Sequence, residues 1–281
     1  MSMKTILIPA TRGETTEPAL ETALLLARRF DSYMEGFALR WSFSAFAGIE
    51  AAGVVPVEAF QREDEEEEKR ARELFERFMQ QNGVPRGAAG KGGLAYGWIE
   101  NAPEGDSFAG SLGRVFDVIV MARPDATASG LHHRAIESAL FESGRPLLLA
   151  PPKAPSAIAT NVLLHWNSST EQARTTALAM PLLERAERVT VLTVIGGNSV
   201  PGPSAEQMIR YLQRNGVKAE PMSVELEGKS TGEAILKAAD KIGCDLLLKG
   251  AYTQSRLRQV VFGGPTRHVI ENASVPVILA H

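Results

Sequence analysis

The chain has 281 residues, of which 44% are hydrophobic and 22% are charged, and its formal net charge is −3. This composition is ordinary for a folded protein, and the charge argues against binding to nucleic acid or to an anionic membrane. The single cysteine excludes an internal disulfide framework, and no apolar run approaches the roughly 18–20 residues that span a bilayer. Since the first residues also lead into a strand without a signal-peptide pattern, we expect a cytoplasmic protein.

The first half of the chain alternates predicted strands with predicted helices. Short apolar and β-branched runs predict strands at residues 4–9, 34–39, 88–96, 117–121 and 146–150. Longer stretches predict helices at residues 19–30, 57–81, 108–116 and 134–143. The apolar stretch at residues 41–56 is broken by glycines and a proline, so we expect a long loop that covers part of the surface.

A proline-rich connector at residues 151–156 is stiff and cannot join a sheet, so we place the domain boundary there. The predicted domains are residues 1–152 and 158–281. In the second, strands are predicted at residues 161–166, 188–195, 217–226, 245–248 and 275–279. Helices are predicted at residues 171–186, 204–215, 232–242 and 266–272.

The two halves repeat one pattern. The segment SLGRVFDVIVMARP aligns with KAADKIGCDLLLKGAY, and Asp117 falls opposite Asp245. Strands that alternate with helices of ten or more residues predict an α/β fold, here two tandem doubly wound, mostly parallel five-stranded sheets flanked by helices. We expect the halves to pack as an intrachain pseudo-dimer, in which residues 146–150 and 275–279 satisfy each other as edge strands. Whether two chains then form a homodimer stays open.

The stretch from residue 245 to the end has the outline of an anion site. A buried strand ends at Lys249 and Gly250, and a polar loop then leads to Gly263, Gly264 and a helix that opens near Thr266. Free backbone N–H groups and the helix dipole would point at one spot beside this loop.

The spacing of these glycines resembles a known family. Gly250 and Gly263, thirteen residues apart within strand–loop–helix–strand, are similar to the nucleotide-binding end of the universal stress protein family, whose pattern is G-x2-G-x9-G-[ST]. The chain departs from this pattern at Thr253 and Gly264. The resemblance extends more weakly over both halves, and it implies two Rossmann-like, adenine-nucleotide alpha hydrolase-like domains.

The resemblance implies an adenine nucleotide, ATP, ADP or AMP, in the second half, with no metal beyond a nucleotide-associated Mg. In open α/β sheets, ligands bind beyond the carboxyl ends of the strands. The residues expected near the adenosine are Asn167 and Val194, and those expected near the phosphates are Lys249, Gly250, Gly263, Gly264 and Thr266.

A second interpretation of this segment stays open. Pro265 lacks an N–H group, and Thr253 cannot cheaply adopt the positive φ that a glycine allows. Asn167 stands where the family commonly has an aspartate. On this interpretation, the glycine pair and Pro265 are only a turn at the start of a helix.

The first half is less well equipped for a nucleotide. Ala122 stands opposite Gly250, His133 and Arg134 occupy the position of the glycine pair, and Thr11 occupies that of the aspartate. We expect this half to have a structural role or to bind something else.

Two short serine motifs are better explained as helix caps than as parts of a site. Gly228–Lys229–Ser230 resembles the end of a P-loop, but Ser223 stands where the first glycine would be. Ser230 and Glu233 have the spacing of a capping box, as do Ser168 and Glu171.

Three functions remain to be distinguished. The leading hypothesis is a tandem universal stress protein, a cytoplasmic regulatory protein that binds an adenine nucleotide and is not an enzyme. The alternative is a stress protein that acts by protein–protein contact, with the apolar loop at residues 43–57 as the contact surface and the partner unspecified. The third is a slow nucleotide hydrolase, which is the weakest because Asn167 offers no carboxylate.

Overall fold

The computed structural model describes residues 3–10, 16–41, 57–87, 93–124, 130–251 and 264–281. The strands are β1 (Thr5–Ala10), β2 (Tyr33–Ala38), β3 (Ala95–Trp98), β4 (Val118–Ala122), β5 (Leu147–Ala150), β6 (Asn161–His165), β7 (Arg188–Ile195), β8 (Ala219–Glu225), β9 (Leu246–Gly250) and β10 (Val277–Ala280). The helices are α1 (Thr16–Phe30), α2 (Val57–Gln81), α3 (Ser107–Gly113), α4 (Gly130–Glu142), α5 (Thr170–Leu178), α6 (Met180–Leu183), α7 (Ala205–Arg214), α8 (Thr231–Ile242) and α9 (Gly264–Asn272).

The strands form one sheet in the order β3-β2-β1-β4-β5-β10-β9-β6-β7-β8. Read from its two ends, this order is the same five-strand arrangement twice. Neighbouring strands are parallel within each half, whereas β5 and β10 pair antiparallel, with Leu148 opposite Ile278. The predicted pair of five-stranded parallel sheets is therefore confirmed, and the predicted pairing of the two terminal strands joins them into a single sheet.

The central strands are apolar runs buried on both faces, as parallel strands between two helical layers require. Side chains alternate across the sheet, so Leu148 and Ile278 belong to one core layer and Leu149 and Leu279 to the other. Each layer contains residues from both halves. The core therefore runs without interruption through the β5–β10 junction.

The duplication extends to single carboxylates. Asp117 Oδ2 accepts hydrogen bonds from the backbone nitrogens of Lys4 and Thr5, at 2.7 and 3.0 Å. Asp245 does the same for Thr160 and Asn161, at 2.9 and 3.0 Å. In both halves, an aspartate before the fourth strand thus fixes the start of the first strand.

A reciprocal arginine contact lies between the halves. The Arg29 guanidinium donates to the carbonyl oxygen of Arg185, and Arg185 Nη1 donates to the carbonyl oxygen of Arg29 at 2.5 Å. The Arg185 guanidinium also lies 4.2 Å from the centre of the Phe30 ring. Such a reciprocal contact, in which each arginine donates to the backbone carbonyl oxygen of the other, is typical of a twofold interface. The two halves therefore pack as an intrachain pseudo-dimer.

The structure corrects several sequence-based boundaries. The helix predicted at residues 171–186 is divided into α5 and α6, because Pro181 lies in the first turn of a new helix. The capping box at Ser230 and Glu233 is confirmed, whereas the one at Ser168 is wrong by one residue. Ser169 caps α5 by accepting from Gln172 N, and Ser168 has a positive φ of 64°.

Two predictions fall partly or wholly outside the described residues. The strand predicted at residues 88–96 is observed as Ala95–Trp98, and residues 88–92 are not described. Of the surface loop predicted at residues 41–56, residues 42–56 are not described either. Within the described parts of the chain, every helix is too short or too polar to cross a membrane.

We expect Asp117→Ala and Asp245→Ala to lower the free energy of unfolding by similar amounts, about 1–3 kcal/mol each, because each leaves two backbone N–H groups without their acceptor. Urea unfolding monitored by circular dichroism measures this, with Glu225→Ala on the exposed face of β8 as the control. A loss in one variant only would contradict the equivalence of the two aspartates.

Candidate functional site

Four elements of the second half meet at one edge of the sheet. Strands β6, β7 and β9 are parallel neighbours, so their carboxyl ends lie together. Asn167 follows β6, Val194 is next to last in β7, Gly250 ends β9, and Gly264 begins α9. The structure thus brings six of the seven expected site residues to this region, and Gly263, like Thr253, lies outside the described residues.

Gly250 is required by packing alone. A Cβ atom built on it would lie 2.5 Å from the backbone nitrogen of Gln172, so any larger residue would press against the first turn of α5. The Gly250 N–H group donates to Gln172 Oε1 at 2.6 Å. This glycine lets strand β9 end in direct contact with a helix N-terminus.

Lys249 is a buried amine with neutral partners. Its side chain is 4% exposed, and Nζ donates to Gly250 O at 3.0 Å and to Thr266 Oγ1 at 2.9 Å. Burial lowers the pKa of Lys249 to about 8. Within the described residues, no carboxylate forms an ion pair with this lysine. The amine holds α9 against β9 at the cost of burying a largely uncompensated charge.

His165 accompanies this lysine on the neighbouring strand. Burial, followed by the positive charge of Lys249, lowers the pKa of the His165 imidazole to about 3, so the ring is neutral at physiological pH. Its Nδ1 atom is buried and has no hydrogen-bond partner in the part of the chain that the structure describes. Two basic side chains therefore lie together beneath the carboxyl edge of the sheet.

Asn167 and Val194 already have structural contacts. The side-chain oxygen of Asn167 accepts from the backbone nitrogen and the hydroxyl of Ser169, at 3.2 and 2.8 Å, and so shapes the turn into α5. The carbonyl oxygen of Val194 accepts from Gly197 N at 3.1 Å. The Val194 carbonyl oxygen has a second lone pair with which it can accept from a ligand, whereas both lone pairs of the Asn167 side-chain oxygen are used in this turn.

The start of α9 combines a glycine turn with a buried hydroxyl. Gly264 has a φ of 67°, and a Cβ atom added there would meet nothing within 4 Å, so its backbone conformation rather than crowding favours glycine. Thr266 was expected to present its hydroxyl to a phosphate, and in the structure that hydroxyl is buried and accepts from Lys249.

A histidine side chain lies against the corresponding strand end of the first half. The strand registers place Ala122 where the second half has Gly250. His132, in the first turn of α4, is buried and donates from Nε2 to the carbonyl oxygen of Ala122 at 2.9 Å. Arg134 is held by Asp106 at 2.6 Å. The imidazole of His132 thus lies against this strand end, where the second half has Lys249.

His165 and Gln172 were not identified from the sequence. The Ser169-x-x-Gln172 spacing suggests a capping box, but the Gln172 side chain reaches across to Gly250 instead of back to the cap. His165 continues an apolar strand and carries no motif. The sequence offered one signal for His165: it is a basic residue at the position where the first half has Pro9.

Comparison with known proteins finds relatives of this chain. Residues 159–281 match the model of the universal stress protein family. The chain is 30% identical over 169 residues to the universal stress protein Slr1230 of Synechocystis, and the match covers 58% of this chain and 57% of that protein. The chain thus spans little more than half the length of this relative.

Two solved structures share the fold over nearly the whole chain. A universal stress protein from Archaeoglobus fulgidus has a TM-score of 0.74 at 14% identity, covering 99% of this chain and 96% of its own. A functionally unknown protein from Pseudomonas aeruginosa has a TM-score of 0.53 at 12% identity, covering 99% and 92%. At these identities the likeness concerns the fold.

We expect Gly250→Ala to destabilise the protein by about 1–3 kcal/mol, because the added methyl group overlaps the backbone of α5. Thermal unfolding without ligand measures the loss. The matched control is Ala122→Gly in the first half, with an expected loss of about 0.5–1 kcal/mol from chain entropy. Unchanged stability of Gly250→Ala would contradict the close approach.

The buried amine also predicts a pH dependence. The pKa of Lys249 is lowered from 10.5 to about 8 in the folded chain, so the unfolded chain binds the proton more tightly. Stability should therefore rise between pH 8 and 10.5, by up to about tenfold in the unfolding equilibrium constant per pH unit, relative to Lys249→Met. Parallel curves for the two proteins across this window would show that the amine titrates normally.

Proposed function

We propose a function from one premise, that residues 159–281 match the model of the universal stress protein family. The proposal is a cytoplasmic regulatory protein of the stress response that binds one adenine nucleotide, ATP, ADP or AMP, in the second half of the chain. The phosphates would lie beside Gly250, Gly263, Gly264 and Thr266, near Lys249, and the adenosine beside Asn167 and Val194.

The observation that carries this proposal is the difference between the two halves at equivalent strand ends. In the first half, His132 lies on the carbonyl oxygen of Ala122. In the second half, the equivalent carbonyl oxygen of Gly250 accepts from Lys249 Nζ instead, and α9 begins nearby with Gly264 in a left-handed conformation. A helix N-terminus offers unpaired N–H groups and a positive dipole end, which together favour a phosphate.

A binding role is favoured over catalysis. Asn167 supplies an amide at the position where hydrolysis would need a carboxylate to orient or activate water. Its side-chain oxygen is also committed to the turn at Ser169. The proposed role is therefore to sense the nucleotide, with an Mg ion entering only as part of it.

Calorimetric titration with ATP, ADP and AMP tests this proposal. We expect one nucleotide per chain, and we expect Gly263→Asp to abolish binding, because the new carboxylate would repel the phosphates and occupy their space. The matched control is His133→Asp, which places the same charge at the equivalent position of the first half and should leave binding unchanged.

The result that would contradict the proposal is the absence of heat at millimolar nucleotide with folded protein. Such a result would favour action by protein–protein contact. Equal losses in Gly263→Asp and His133→Asp would instead place the nucleotide elsewhere.

A further inference from the structure

We propose that Lys249 makes ligand binding in the second half selective for an anion and coupled to the uptake of a proton. This inference rests on the proposed function, since it concerns the same edge of the sheet. It adds a specificity-determining residue and a form of regulation by pH.

Among the described residues, the Lys249 amine has no negatively charged partner. Lys249 Nζ has two neutral acceptors, Gly250 O and Thr266 Oγ1, and lies beside a second base, His165. A buried ammonium ion is stable only when another charge or several hydrogen bonds compensate it. An anion bound at the start of α9 would supply the missing negative charge.

The fold itself does not need these two bases. The register between the first and fourth strands of each half pairs Ile6 with Val118 and Val162 with Leu246. Three residues further along, the first half has Pro9 and Met121 where the second half has His165 and Lys249. Since the first half forms the same strands with apolar residues at these positions, packing alone does not account for the basic pair.

Among the described residues around Lys249, no carboxylate substitutes for a bound anion. The ionisable side chains on the elements packed against β9 are His165 on β6, Glu171 and Arg174 on α5, Arg267, His268 and Glu271 on α9, and His281 after β10. Glu171 lies on the opposite face of the sheet, because Gly250 faces α5 and neighbouring strand residues alternate. Glu271 pairs with Arg267 at 2.7 Å.

The sequence of the loop that follows β9 adds no negative charge. Its sequence at residues 252–263, YTQSRLRQVVFG, contains two arginines and no aspartate or glutamate. The nearest segment along the chain can therefore add positive charge but no carboxylate.

The uptake of a proton on anion binding follows from the lack of a negative charge beside Lys249. The pKa of Lys249 is about 8 when the amine faces only neutral acceptors, so the amine is partly neutral at slightly alkaline pH. A nearby anion favours the protonated amine and raises this pKa, so binding takes up a proton. A nucleotide phosphate, whose second pKa is about 6, keeps a constant charge above pH 7.5 and does not contribute to the uptake.

The test is calorimetry on the wild-type protein with AMP and with adenosine, between pH 7.5 and 9.5, in two buffers that differ in ionisation enthalpy. We expect AMP binding to take up about half a proton at pH 8 and its affinity to fall by up to about tenfold per pH unit above this. Adenosine, which has no phosphate, should bind without proton uptake. In Lys249→Met, which copies the first-half residue, AMP affinity should be weaker and independent of pH.

Three outcomes overturn the inference, and they separate it from the proposed function. AMP binding without proton uptake, or with the same pH dependence in Lys249→Met, leaves nucleotide binding intact and removes the role of Lys249. Proton uptake that is equal for adenosine and AMP removes the coupling to an anion. Absence of AMP binding at every pH removes the proposed function together with the inference. The wild-type buffer comparison decides the matter even if Lys249→Met does not fold.

Discussion

The antiparallel pairing of β5 and β10 is the contact on which the rest of the structure depends. Three residue pairs, centred on Leu148 and Ile278, turn two five-stranded units into one ten-stranded sheet. Without this pairing, each unit would expose an apolar edge strand with unpaired backbone groups. Because the pairing is antiparallel, the carboxyl ends of the strands in the two halves point to opposite edges of the sheet. The two candidate ligand edges are therefore far apart and can differ without disturbing each other.

Equivalent residues of the two halves fall into two groups according to where they lie in the fold. Those that fix the fold keep the same contacts in both halves, as Asp117 and Asp245 do at the strand starts and Arg29 and Arg185 do between the halves. At the carboxyl ends, Ala122 in the first half is replaced by Gly250 in the second. The fold thus tolerates two different chemistries at equivalent edges, and the second half combines a helix N-terminus with a buried base.

The fold was largely predictable from the sequence because buried parallel strands are continuous apolar runs. The helix predicted at residues 57–81 has the same bounds in the structure, since its composition favours a helix along its whole length. The ends and breaks of helices were harder to predict, as the helix break before Pro181 and the shift of the cap to Ser169 show. The site was predicted only as a set of positions. The contacts of Gln172 with Gly250 and of Lys249 with Thr266 join residues distant in sequence, and such contacts leave no local pattern.

One fold is present twice in this chain, and on the proposed function only its second copy binds a charged ligand. Amide hydrogen exchange with and without saturating ATP distinguishes the two copies, because it reports on both in one experiment. We expect ATP to slow exchange at residues 165–172, 246–251 and 264–272 and to leave it unchanged at residues 118–124 and 130–142. Equal protection of both copies, or protection of the first copy alone, would contradict this expectation.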